Sequence, residues 1–223
     1  MWGKSAIVAR DSDVIAWQTI STPSRRPHAD SSYFEPGLSK AEVYAQVLQQ
    51  AQGLTEGQRN WFSMTCGIWK AYFPSNLASV SSLLWHAYAS LPAPSNAVNW
   101  AGFYVRKDKS PSSGVSTASD AKNILLLGPF HGKPACQLIP FGRGVCGTAA
   151  SKRETVIVSD VLEWEGHIAC DADSRSEIVV PIVVDGETLA LIDIDCTQPS
   201  GFDEIDKKGL EHLAKLLAEN CDW

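Results

Sequence analysis

Three cysteines in the second half of the chain lie in short stretches rich in small and polar residues. These stretches are Lys133-Pro-Ala-Cys136, Gly144-Val-Cys146-Gly147 and His167-Ile-Ala-Cys170-Asp171. One thiolate can attack a substrate and become oxidised, and a second thiol can then convert the oxidised sulfur to a disulfide. Three thiols in such surroundings therefore indicate redox or ligand chemistry rather than packing.

The three cysteines are expected to differ in environment. Cys170 follows His167 on a predicted loop, which suits an exposed and reactive thiol. Cys146 lies near the start of a predicted short helix, where the helix dipole favours a thiolate. For Cys136 and Cys146 the alternative is a small, buried hydrophobic side chain.

The remaining cysteines and a metal site are interpreted differently. Cys66, Cys196 and Cys221 are expected to be structural. The three motif cysteines and His167 could together bind zinc, but they contain no C-x-x-C pair and their spacing is irregular. We therefore predict no metal.

Three acidic residues are expected near the cysteines. Asp193 and Asp195 alternate with isoleucines in Leu191-Ile-Asp-Ile-Asp195, so in a strand they point to one face. Glu177 opens the preceding strand, which a hairpin would bring alongside. Three acids around a pocket suit an ammonium group, and one that stays protonated could donate a proton to a reacting group. The alternative is a solvated acidic edge.

Two aromatic residues could form a wall of the same pocket. Trp100 and Tyr104 are four positions apart in a predicted strand, so both face one side of the sheet. Their alternative role is that of core aromatics beneath a helix.

The composition excludes several classes of protein. A chain of 223 residues with 44% hydrophobic and 20% charged residues is typical of a globular domain with elaborations. A net charge of −6 argues against non-specific binding to nucleic acid or to an anionic membrane. No apolar run approaches the roughly 20 residues of a membrane span.

The cysteine content favours a reducing compartment. Six unevenly spaced cysteines do not resemble the framework of a secreted disulfide-rich domain. The longest apolar run in residues 1–29 is Ala6-Ile-Val-Ala9, which is too short for a secretory signal. We expect a cytoplasmic protein, with the nucleus as a second location.

The pattern of elements predicts an α+β domain. Residues 1–38 are rich in proline and serine and are predicted to be disordered, while residues 39–223 form the domain. Within the domain, residues 62–75 are predicted to be an atypical insertion and residues 109–119 a flexible loop.

Helices are predicted from Ser39, where Ser39-Lys-Ala-Glu42 fits a capping box, and over residues 76–90, 144–152 and 203–220. Strands are predicted over residues 99–105, 123–127, 155–159, 177–184 and 188–195, the last two joined by a turn at Asp185-Gly186. These elements predict a mainly antiparallel central sheet of about six strands with helices packed on it.

Six motifs in this order resemble those of the free methionine-(R)-sulfoxide reductases, which are single GAF-domain enzymes. The motifs are Asn99-Trp-Ala-Gly-Phe-Tyr104, Leu127-Gly-Pro-Phe130, Ile139-Pro-Phe-Gly-Arg-Gly-Val-Cys-Gly-Thr-Ala149, Gly166-His-Ile-Ala-Cys-Asp171, Ser176-Glu-Ile-Val-Val-Pro181 and Leu191-Ile-Asp-Ile-Asp195. The resemblance runs from about Ser39 to Asn220. The chain departs from the family in its N-terminal extension and in extra residues around Cys66 to Pro74.

The resemblance implies a GAF-like fold and an oxidoreductase that reduces free L-methionine-(R)-sulfoxide, an activity associated with oxidative stress. It implies a redox-active disulfide between Cys170 and Cys136, with Cys146 also taking part. Either Cys170 or Cys146 attacks first, and we favour Cys170. Thioredoxin, which receives its electrons from NADPH, is the implied external reductant. No bound cofactor is expected. Whether the protein forms a homodimer is left open.

The resemblance also assigns roles to the acids and aromatics. Glu177 is implied to handle the proton, and the substrate-binding residues are implied to be Asp193, Asp195, Trp100 and Tyr104.

Two other functions fit a GAF-like sheet, because fold alone does not determine function. A non-catalytic small-molecule-binding domain would need at most one liganding cysteine and would usually carry output domains. A thiol redox sensor without a substrate would have no need for the acidic pocket.

Overall fold

The computed structural model describes residues 5–7, 17–19, 33–56, 75–109, 120–166 and 171–223. The predicted insertion over residues 62–75 and the predicted loop over residues 109–119 lie outside the described residues, except for Ser75 and Lys109. Most of the predicted disordered extension over residues 1–38 also lies outside them. In that extension the structure describes Tyr33 to Leu38 and two paired strands of three residues each.

The described chain contains four α-helices and eight strands. The helices are α1 (Lys40–Thr55), α2 (Ser75–Ala89), α3 (Gly144–Lys152) and α4 (Glu204–Asn220). The strands are β1 (Ser5–Ile7), β2 (Trp17–Thr19), β3 (Val98–Arg106), β4 (Ile124–Gly132), β5 (Leu138–Pro140), β6 (Val156–Val158), β7 (Ser176–Val184) and β8 (Glu187–Cys196). Strands β3 to β8 form one sheet in the order β5-β4-β3-β8-β7-β6, and every neighbouring pair is antiparallel. The predicted α+β class with a central antiparallel sheet is confirmed.

Side-chain alternation along the central strands divides the interior into two layers. Ile178, Ile192 and Ile194 point to the main core, which α1, α2 and α4 cover. Val179 and Leu191 point to a smaller apolar cluster on the opposite face, which α3 covers. The pocket described below lies on this second face.

The β7–β8 hairpin sets the register that the candidate site depends on. Its turn residues Asp185 and Gly186 have positive φ angles of 50° and 76°. Two consecutive left-handed residues match the twist of a tight hairpin, and Asp-Gly adopts them readily. The resulting register places Glu177 opposite Asp195 and Val179 opposite Asp193. The predicted hairpin and the predicted proximity of Glu177 to the aspartates are both confirmed.

A buried polar network joins the three helices of the main core. Asp206 in α4 is fully buried and accepts a hydrogen bond from Lys40 Nζ at 2.6 Å. It also accepts hydrogen bonds from the hydroxyls of Tyr44 in α1 and Tyr88 in α2, at 3.0 and 3.1 Å. Because a buried charge needs partners, these contacts fix where the three helices meet. The predicted capping box of α1 is present, with Ser39 as the N-cap.

Strand β4 differs from its prediction. The sequence predicts a strand that ends at Leu127, but β4 continues to Gly132. The pairing with β3 shifts register between Gly102 and Tyr104, so Gly128 and Pro129 lie in a β-bulge. Pro129 is tolerated because β5 pairs only with Ile124–Leu126, which leaves this part of β4 at the sheet edge. The short strand β5 was not predicted.

No helix among the described residues is long and apolar enough to cross a membrane.

Two glycines in helices test the packing between α1 and α4. A Cβ at Gly209 would overlap the buried ring of Tyr44, whereas a Cβ at Gly53 would meet nothing within 4 Å. Ala is preferred to Gly in a helix by about 1 kcal/mol, but overpacking a core costs about 1–3 kcal/mol. Gly209→Ala should therefore lower the free energy of unfolding, while Gly53→Ala should raise it by about 0.5–1 kcal/mol. Urea unfolding of both variants measures the difference, and equal stabilisation by the two would contradict this packing.

Candidate active site

Most of the predicted site residues line one pocket on the second face of the sheet. It lies between β3, β7, β8, the N-terminal half of α3 and the segment that joins β4 to β5. Six of the eight predicted site residues line it, namely Trp100, Tyr104, Cys146, Glu177, Asp193 and Asp195. Cys136 lies in the β4–β5 segment, next to the lining residue Ala135. Cys170 lies outside the described residues.

The aromatic wall of the pocket is built from stacked rings. The Trp100 ring stacks on Phe130 with centroids 5.3 Å apart and on Tyr104 with centroids 5.9 Å apart. Trp100 and Tyr104 are 3% and 1% exposed, so they are core residues as well as pocket walls. Their polar atoms hold the β4–β5 segment, because Trp100 Nε1 donates to Lys133 O at 3.1 Å and the Tyr104 hydroxyl donates to Cys136 O at 3.0 Å.

The three predicted acids converge on the opposite wall. Asp193 and Asp195 point to the same face of β8, as predicted, and Glu177 faces them from β7. Glu177 and Asp193 are each 6% exposed. Oδ1 of Asp193 accepts no hydrogen bond from any described residue. The alternative of a solvated acidic edge is therefore wrong for these two residues.

The pKa of each acid is raised, and burial is the largest cause in all three. Burial raises the pKa of Asp193 to about 7. Burial, followed by the charges of Asp193 and Asp195, raises the pKa of Glu177 well above its usual range. Burial, followed by the charge of Asp193, does the same to the pKa of Asp195. At neutral pH the cluster therefore retains protons, and a cation that entered would favour its ionised form.

The surroundings of Cys146 oppose the thiolate that the helix dipole was expected to favour. Burial, followed by the charges of Asp193 and Glu177, raises the pKa of Cys146 well above its usual range. Cys146 is the third residue of α3, and the dipole of a nine-residue helix does not offset burial beside carboxylates. The protonated thiol instead points to Glu177 Oε1, with Sγ and Oε1 3.9 Å apart.

The other cysteines differ in oxidation state. Cys136 is disulfide-bonded. Cys146, Cys196 and Cys221 are free and buried, so the partner of Cys136 lies outside the described residues.

A polar cluster that the sequence did not reveal borders the pocket. Asn99 Nδ2 donates to Asp171 Oδ2 and to Ser174 Oγ, each at 3.1 Å. Lys133 Nζ forms ion pairs with Asp171 at 3.1 Å and with Asp173 at 2.6 Å. These contacts tie the segment that carries Cys136 to the segment that follows Cys170. Lys133 and Asp171 each belong to a cysteine motif, but nothing in the sequence pairs them.

Comparisons with known proteins identify the family of this chain. The model of the GAF domain family matches residues 95–220, which is more than half of the chain. The free methionine-R-sulfoxide reductase of Saccharomyces cerevisiae is 49% identical over 195 residues, which cover 87% of this chain and 94% of the yeast protein. The chain belongs to the free methionine-R-sulfoxide reductase family.

Solved structures of similar proteins have the same fold. A structure described as that of "the GAF domain" is 47% identical, covers 92% of this chain and all of its own, and superposes with a TM-score of 0.74. The free methionine-R-sulfoxide reductase of Neisseria meningitidis, solved in complex with its substrate, is 36% identical with a TM-score of 0.66. It covers 85% of this chain and 95% of its own. The predicted family and the predicted GAF-like fold are confirmed.

The raised pKa of Asp193 predicts how stability depends on pH. The folded protein keeps the Asp193 proton up to about pH 7, whereas an unfolded chain releases it near its ordinary pKa of 3.8. The folded state therefore binds more protons in this interval, and its free energy of unfolding falls as the pH rises through it. Asp193→Asn removes this titration, so the fall should become shallower by up to about 1.4 kcal/mol per pH unit.

Urea unfolding at several pH values between about 4 and 7 measures this slope. Asp185→Asn removes an exposed charge from the β7–β8 turn and is the matched control, with the wild-type slope expected. An unchanged slope in Asp193→Asn would mean that Asp193 is already ionised in the folded protein at low pH.

Proposed function

We propose that this protein reduces free L-methionine-(R)-sulfoxide to methionine, using cysteine thiols as the reductant and no bound cofactor. The observation that carries the proposal is a cluster of three carboxyl residues, two of them buried, opposite an aromatic wall and beside Cys146. The names of the similar reductases in yeast and in Neisseria meningitidis support the same activity.

The pocket offers a complementary surface to each part of a free amino acid sulfoxide. The substrate's ammonium would lie against Asp193 and Asp195, where it supplies the missing positive charge. Its methyl and methylene groups would contact the rings of Trp100 and Tyr104. Arg143 is an exposed basic residue at the rim and would attract the substrate's carboxylate. A methionine sulfoxide inside a peptide has an amide in place of the ammonium, so it would bury the carboxyl groups without neutralising them.

Reduction of the sulfoxide would begin with attack by a thiolate on the substrate sulfur. We assign this role to Cys170, as the resemblance implies. The cysteine sulfur takes the oxygen and is oxidised by two electrons, while the substrate sulfur is reduced by two electrons. The products of this step are a cysteine sulfenic acid and methionine, which leaves the pocket.

The sulfoxide oxygen must be protonated as its bond to the substrate sulfur breaks. Glu177 is a suitable donor, because burial and the neighbouring aspartates raise its pKa and keep a proton on it. The Cys146 thiol points to Glu177 and is also protonated, so it could return a proton to the emptied carboxylate. Cys146 would therefore take part as a proton donor rather than as the attacking thiolate.

The sulfenic acid would be resolved by Cys136. Attack of the Cys136 thiol on the oxidised Cys170 sulfur forms a disulfide and releases water. The disulfide that Cys136 carries in the structure is consistent with this product. Cys136 is half-buried between the exposed residues Pro134 and Gln137, so an external dithiol can approach it. Thioredoxin, kept reduced by NADPH in the cytoplasm, would restore both thiols and leave with its own disulfide.

Turnover of purified sulfoxide diastereomers tests this function. With thioredoxin, thioredoxin reductase and NADPH, free L-methionine-(R)-sulfoxide should be reduced, while the S-epimer and a peptide-bound sulfoxide should react at least about a hundredfold more slowly. NADPH oxidation gives the rate. Equal rates for the free and the peptide-bound sulfoxide would contradict recognition of the ammonium.

Single-turnover assays on cysteine variants separate the roles of the individual cysteines. Cys170→Ser should release no methionine, because the attacking sulfur is missing. Cys136→Ser should release about one methionine per chain and then stop with thioredoxin, since no disulfide forms for thioredoxin to reduce. Cys196→Ser changes a free, buried cysteine outside the pocket and is the matched control. If Cys170→Ser still released one methionine per chain, Cys146 would be the attacking thiol.

A further inference from the structure

Three buried groups with metal-binding chemistry converge at the base of the pocket. Sγ of Cys146, a carboxylate oxygen of Glu177 and a carboxylate oxygen of Asp193 all lie within 4.8 Å of one another. The three side chains are 5%, 6% and 6% exposed. With sides no longer than 4.8 Å, some point lies within about 2.8 Å of all three atoms. Small side-chain shifts would bring these atoms to the roughly 2.0–2.3 Å of zinc–oxygen and zinc–sulfur bonds.

We propose that Cys146, Glu177 and Asp193 form a binding site for a thiophilic divalent cation, for which Zn²⁺ is the natural candidate. Binding of the metal would not depend on the reductase activity. Its consequence, competition with the substrate's ammonium, rests on the proposed function.

An unpartnered carboxylate oxygen on Asp193 supports the site independently of the clustering. Oδ1 of Asp193 lies in a side chain that is more than nine-tenths buried and has no hydrogen-bond partner among the described residues. A buried carboxylate oxygen without a donor costs free energy, which a ligand that fills the position recovers. Asp195 lies across the strand pair from Glu177 and also lines the pocket, so a bound cation would face additional negative charge.

The donor set selects the type of metal. Magnesium and calcium prefer shells of six or more oxygen ligands, whereas zinc accepts one thiolate and two carboxylates with water in the fourth position. On binding, the Cys146 thiol would release its proton to solvent and coordinate as a thiolate. The zinc site considered from the sequence comprised the three motif cysteines and His167, and it shares only Cys146 with this triad.

The disulfide of Cys136 does not compete with this site. Cys146 is free in a structure in which Cys136 is disulfide-bonded, so oxidation leaves the sulfur ligand available. Metal binding can therefore be measured on the oxidised protein, in which the redox-active thiols are not available as ligands.

Calorimetric titration of the oxidised, chelator-treated protein with Zn²⁺ tests the proposal. About one Zn²⁺ per chain should bind, and Cys146→Ser and Asp193→Asn should each weaken binding by at least the ten- to hundredfold that loss of an outer-shell partner costs. Cys196→Ser and Cys221→Ser remove free, buried thiols elsewhere and should bind as the wild type does. Co²⁺ should give a sulfur-to-metal charge-transfer band that Cys146→Ser lacks, and circular dichroism shows whether each variant is folded.

Three results would overturn the site: no stoichiometric binding by the wild type, unchanged binding by folded Cys146→Ser, or equal loss in the Cys196→Ser control. Adding free methionine should weaken Zn²⁺ binding if the metal and the ammonium compete. Stoichiometric binding by an inactive enzyme would support the metal site and contradict the proposed function, whereas normal turnover without metal binding would do the reverse.

Discussion

The candidate site depends on one constraint, which is that three carboxyl groups, two of them buried and one half-buried, lie together on adjacent strands. The β7–β8 hairpin creates this arrangement, because its register sets Glu177 directly opposite Asp195 and two pairs away from Asp193. Water would stabilise these groups better than the pocket does, so the fold must offset their burial elsewhere. The same unfavourable environment favours cation binding, because a cation that enters the pocket stabilises the ionised carboxyl groups.

Packing of the main core fixes the hairpin in the register that places the acids in the pocket. The opposite face of the same two strands carries Ile178, Ile192 and Ile194, all fully buried beneath three helices. Slipping the register by one residue would bury the acids in that core and expose the isoleucines. The register that packs the main core therefore also places the acids in the pocket. In contrast, Asp206 in the main core is buried with Lys40 and two tyrosine hydroxyls as partners, which marks it as structural.

Local patterns in the sequence predicted the parts of the site that local geometry determines. Alternation along β8 placed Asp193 and Asp195 on one face, and Asp185-Gly186 predicted the turn that aligns Glu177 with them. The protonation of Cys146 could not be predicted in the same way, because it results from burial against carboxylates that are distant in sequence. The bulge at Gly128-Pro129 and the link from Lys133 to Asp171 likewise arise from pairings between segments. Sequence motifs therefore predicted which residues lie together, while their charge states required the three-dimensional structure.

If the carboxyl cluster is held protonated until an ammonium enters, then ligand binding must release protons. Calorimetric titration with free methionine near neutral pH measures the number of protons released. The titration is repeated in two buffers of different ionisation enthalpy. Because the ammonium favours the ionised carboxylates, we expect net release from the wild type and a smaller release from Asp193→Asn. Binding with no buffer dependence, or with net proton uptake, would contradict a cluster that is neutral before the ligand binds.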